Sequence, residues 1–133
     1  MATNTAGTAA REYHTAQVHY LTKAITYADN GLTLDMGYVP AGGAVIRAGV
    51  VVKTAFNGNS SNVLDIGTSS DTDGFATDLA LGTIGVITAD EMATTNDAGP
   101  YTSDTLIQCV VVSTASASAG EGLVWVEYLV PMG

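Results

Sequence analysis

Two runs near the C-terminal end, TLIQCVVVST (105–114) and GLVWVEYLV (122–130), constrain this chain more than anything else in it. Both are dense in β-branched and aromatic residues and neither contains Pro, so each reads as a strand. The small residues between them, ASASAGE (115–121), predict that the two form an antiparallel hairpin. Upstream, Leu32, Leu34, Met36 and Tyr38 alternate with Thr33, Asp35 and Gly37, the period of a half-buried strand, and the turn Asp29-Asn30-Gly31 precedes it. After the turn PAGG (40–43), AVIRAGVVVKTAF (44–56) reads as one long strand or two joined at a Gly49 bulge. Residues 18–27, 63–67 and 83–88 read as further strands. FATDLAL (75–81) reads instead as a helical turn, with Phe75, Leu79 and Ala76 on one face. Short strands between turns, eighteen threonines and no long amphipathic helix predict an all-β sandwich or barrel.

A length of 133 residues without an internal repeat or linker favours one domain, assigned to 18–133. The small, polar residues 1–17 show neither period and read as an extended arm, with a reach of roughly 55 Å at about 3.3 Å per residue. They contain no apolar stretch of the kind a secretory signal needs, and no apolar run in the chain approaches the ~20 residues of a membrane-spanning helix. The chain carries 4 basic residues against 13 acidic ones, a net charge of -9, which excludes an electrostatic grip on nucleic acid or anionic lipid. All four bases (Arg11, Lys23, Arg47 and Lys53) precede residue 54, and ten acids and no base follow it. Arg47 and Lys53 sit between apolar neighbours, which places them on the open side of a sheet.

Few residues are suited to covalent chemistry. Cys109 lies within an apolar run and reads as a buried small hydrophobe. His14 and His19 lack the partners of a metal site, and Asp71-Thr72-Asp73-Gly74 lacks the bidentate Glu that would complete a calcium loop. There is no G-x-S-x-G, and the Gly-rich pieces lack the Lys of a phosphate loop. The expectation is a non-enzymatic chain without catalytic residues, metal or cofactor. In the last strand, Val124, Val126 and Tyr128 share one face, and Leu123, Trp125, Glu127 and Leu129 the other. A charged Glu127 among apolar neighbours marks the Trp125 face as partly open or an interface. Aromatic residues at interface centres are commonly the strongest contributors. The polar stretch 89–104, with Tyr101, is long for a loop in a compact domain and is a second contact candidate.

Several stretches together resemble the capsid decoration, or cement, proteins of tailed bacteriophages. They are GYVPAGGAVIRAGVVVKTAFNGNSSNVLDIG (37–67), the following SSDTDGFATDLAL, and the closing GLVWVEYLVP, so the resemblance covers roughly residues 31–130. It implies an antiparallel β-sandwich, jelly-roll-like, on the outer surface of a virion capsid, locking neighbouring major capsid subunits together at a symmetry or quasi-symmetry axis. The partners it implies are the major capsid protein and further copies of this chain, as a trimer or dimer. Within that reading Arg11, Tyr13 and His14 anchor the arm, and Trp125, Leu123, Glu127 and Tyr101 supply the oligomer or capsid interface. The alternative is a phage tail or receptor-binding module, in which loops 57–62, 68–74 and 89–104 form a glycan site with Trp125 or Tyr101 stacking on the sugar.

Overall fold

A computed structural model describes residues 18–89, 92, 95–114 and 116–130. Among them are eight strands: β1 (Val18–Thr26), β2 (Thr33–Val39), β3 (Ala44–Thr54), β4 (Asn62–Thr68), β5 (Ala76–Ala80), β6 (Gly85–Thr88), β7 (Thr105–Ser113) and β8 (Glu121–Leu129). A 3-10 turn, Tyr27–Asp29, joins β1 to β2. The strands form two antiparallel sheets of four, ordered β1-β8-β3-β6 and β2-β7-β4-β5, here called sheets A and B. An eight-stranded sandwich in which the last strand lies beside the first, and each later strand folds back over an earlier one, is a jelly roll. The expected fold class is therefore found.

Alternation produces the core. Sheet B sends in Val39, Leu64, Ile66, Ile107, Cys109 and Val111; sheet A sends in Ile25, Val45, Ala48, Val50, Val52, Val124 and Val126. Cys109 is fully buried, and burial pushes its thiol up to about 12, which leaves it inert as a nucleophile.

Three local expectations are corrected. First, β7 and β8 do not form a hairpin. β7 is hydrogen-bonded to β2 and β4, and β8 to β1 and β3, so neither has a free side for the other. They face each other across the core, and their connection crosses from one sheet to the other. Asn57 pins that crossing: its carboxamide oxygen accepts from the Ser118 and Ala119 amides, and its Nδ2 donates to Ser118 Oγ. Second, residues 76–80 are a strand, not a helical turn. Asp78 takes a left-handed φ of 57°, which breaks the alternation and leaves Ala76 and Leu79, three apart, both buried. That spacing imitates a helical face. Third, β3 has its irregularities at Val45/Arg47 and Val52/Thr54, not at Gly49. A similar shift in β2, between Asp35 and Gly37, turns Val39 inward and leaves Tyr38 exposed.

Candidate functional site

Residues paired across an antiparallel sheet project to the same side, so the register defines rows. On the outer side of sheet A one row runs Ala24, Leu123, Val51 and Val86, crossing all four strands with apolar side chains. The next row is Thr22, Trp125, Gly49 and Thr88. Trp125 is half-buried because its ring lies on the backbone of Gly49: a Cβ there would stand 2.6 Å from Trp125 Cζ2 and against the Ile87 carbonyl. Glycine at this position lets the indole lie flat on the sheet.

The third row, Tyr20, Glu127 and Arg47, explains the charge in the apolar strand. Arg47 Nε donates to Glu127 Oε1 at 2.9 Å and Nη2 to Oε2 at 3.1 Å, while the Tyr20 hydroxyl donates to Oε2 at 2.6 Å. Glu127 is only 4% exposed, yet both its oxygens are satisfied. The Arg47 guanidinium, then the Tyr20 hydroxyl, hold the Glu127 carboxyl below the usual glutamate value. In return, the bond to Glu127 raises both Tyr20 and Arg47. Val18 and Tyr20, the latter 58% exposed, extend the apolar surface toward the start of β1.

Leu123, Trp125 and Glu127 therefore share one outer face, as their alternation predicts. Tyr101 lies elsewhere, at the end of the sandwich that carries the β2–β3, β4–β5 and β6–β7 connections. Its amide donates to the Gly43 carbonyl and its hydroxyl to the Asp97 carbonyl. Burial, then the Asp97 charge, push its phenol up to about 12. It borders a polar cleft of about 320 Å³ with Thr68, Ser70, Asn96, Asp97 and Thr105. Loop 57–62 sits at the opposite end, against Thr114 and Ser118, so of the three loops weighed for a glycan site only 68–74 and 89–104 meet, where Thr95 Oγ1 donates to the Gly74 carbonyl at 2.6 Å. Arg11, Tyr13 and His14 lie outside the described residues. Among the described residues no cluster of His, Cys, Asp or Glu is arranged to hold a metal. Tyr20 and Arg47 were not among the expected interface residues. A lone Glu in an apolar strand, and a lone Arg in another, are the signal that pairs them.

No family model and no curated protein sequence matches the chain. Among solved structures, it is similar to a chain of the cyanophage Pam1 capsid asymmetric unit, at 16% identity and a TM-score of 0.64, covering 87% of this chain and 86% of that one. It is also similar to a chain of the acid-stable capsid of Helicobacter pylori bacteriophage KHP30, at 14% identity and a TM-score of 0.65, covering 86% and 89%. A third is a chain of the Ralstonia phage GP4 capsid, at 14% identity and a TM-score of 0.59, covering 89% and 85%. At these identities what is shared is the fold, and it is shared over nearly the whole of each chain.

Proposed function

We propose that this protein is a structural component of a bacteriophage virion that binds the outer surface of the capsid and cements neighbouring major capsid subunits. The observation that carries this reading is the match of nearly its full length to chains of similar length in three phage capsids. The chemistry of the molecule agrees with a role in adhesion. Its outer sheet A face presents an apolar row, a flat indole and an exposed guanidinium, the residue types that anchor interfaces. A clamp that buries this face across a seam stabilises only the assembled shell, because it has nothing to bind on separated subunits. Residues 1–17 extend the grip to an adjacent subunit, with Arg11, Tyr13 and His14 as anchors.

Particles lacking the protein should release their genome at a lower temperature and under milder osmotic shock than complete particles. Adding back the full chain should restore the higher temperature, and adding back a chain without residues 1–17 should not. Identical release with and without the protein would overturn the cement role, and full occupancy by the truncated chain would remove residues 1–17 from it.

A further inference from the structure

A sandwich has four sheet edges, and three of these carry devices that discourage pairing with another chain. On β1 the side chain of Lys23 points to the core side, in the row of Val124, and an inward lysine on an edge strand opposes further pairing. On β2 the ladder is broken between Asp35 and Gly37, where Gly37 has a φ of 142°, and Asp35 is exposed. On β5 the exposed Asp78 sits in a left-handed conformation inside a strand of 5 residues. The fourth edge, β6, is a strand of 4 residues that begins at Gly85 with a φ of 148°, but it alone combines an unbroken ladder with no charged residue. Its register with β3 is unbroken from Gly49–Thr88 to Val52–Gly85, and no described residue bonds to its other side. Val86 is 68% exposed and Ile84, just before the strand, 66%. From Leu79 to Ala89 the sequence has no charged residue, in a chain whose net charge is -9.

We infer that β6 is the strand through which two copies of this chain join, edge to edge and antiparallel. The occupant is a second copy because an antiparallel pairing of one strand with itself is self-complementary under a two-fold axis. It is also the edge at which two strongly acidic molecules meet without bringing like charges into register. The product is one eight-stranded sheet in which the row Ala24, Leu123, Val51 and Val86 runs on into the same row of the second copy. This doubles the width of the apolar platform. The use of that platform on a shell rests on the function proposed above, whereas the pairing itself does not.

The test uses the full chain in solution, without shells. Four residues a side make a small interface, so the dimer should be weak, with a Kd on the order of micromolar, and stronger at high salt as the net charge is screened. Sedimentation equilibrium at up to about 0.5 mM should therefore show a monomer–dimer equilibrium. Val86→Lys, at an exposed position, should weaken it by about tenfold or more, because two lysines then meet across the two-fold. Val86→Thr, which keeps β propensity, should leave it close to wild type. Circular dichroism checks that both variants are folded. Hydrogen exchange should show the β6 amides directed away from β3 becoming protected as concentration rises, in the wild type but not in Val86→Lys. A monomer at the highest concentration and salt, a trimer, or a dimer indifferent to Val86→Lys would each overturn the inference.

Discussion

The two outer faces of this sandwich have been built to different rules. Sheet A displays an apolar row, an indole over Gly49 and a carboxylate paired with Arg47 and hydrogen-bonded by Tyr20. Of the bases on its strands, Arg47 lies on this outer face, whereas Lys23 points to the core side, and the strand that carries Glu127 also carries Glu121. The strands of sheet B carry Asp35, Asp65 and Asp78 and no base. Its acids are tied locally: Gln108 Nε2 donates to Asp35 Oδ1 and the Asp78 amide to Asp65 Oδ1, both at 2.8 Å. The outer face of sheet B also carries apolar side chains, Val63, Leu106, Val110 and Val112 beside Tyr38, but the charges on its strands are all acidic.

The comparison is most directly broken by substitution on each face in turn. Trp125→Ala should weaken binding to capsids lacking the protein by about 30-fold, the effect of a hot-spot residue, whereas Tyr38→Ala on sheet B should change it less than about 2-fold. Quantitative binding to purified shells measures both, and equal losses would show that the faces are not functionally distinct. Next in size is Gly49→Ala. A methyl there meets the Trp125 ring and the Ile87 carbonyl, and backbone cannot yield as a flexible side chain can. Stability in urea should fall by about 1–3 kcal/mol, and shell binding should fall with it as the indole is displaced.

The smallest effects are electrostatic and have opposite signs on the two sides. Glu127 has its folded value held below the ordinary 4.5, so its contribution is complete above that value and is lost as pH falls through the lower, folded one. Glu127→Gln should therefore lower the Tm at neutral pH, with the difference from wild type vanishing in acid. Asp73, in the β4–β5 loop of sheet B, is raised above 3.8, first by its hydrogen bond with Asp71 and then by that residue's charge. Its contribution is present below 3.8 and lost as pH rises through the raised value, so Asp73→Asn should slightly raise the Tm at neutral pH and do nothing in acid. Thermal melts across pH 2 to 8 read both, and changes of the same sign would refute this account.

What could be read without coordinates was whatever depends on period two. The faces of β8 were legible from GLVWVEYLV because that strand is regular from end to end, and Leu123, Trp125 and Glu127 fall together for that reason. Where alternation is interrupted, the reading failed in step with the interruption. Asp78 made a strand look helical, and the shift after Asp35 turned Tyr38 outward. Sheet membership was not legible for the last two strands: a short loop of small residues is compatible with a hairpin and with a crossing. What decides is whether other strands have already filled the neighbouring positions, and that is a property of the whole topology. The bond of Glu127 to Arg47 spans 80 residues of sequence, so residue type could suggest it but spacing could not.

The position of β8 between β1 and β3 also fixes when the outer face of sheet A comes into existence. A nascent chain leaving the ribosome can assemble β2, β4, β5 and β7 into sheet B before β8 has been translated, but until then β1 and β3 have no common neighbour. Long-range pairings of this kind close late and slowly. The indole arrives on that closing strand, so a half-made molecule lacks the outer row of Leu123, Trp125 and Glu127 altogether.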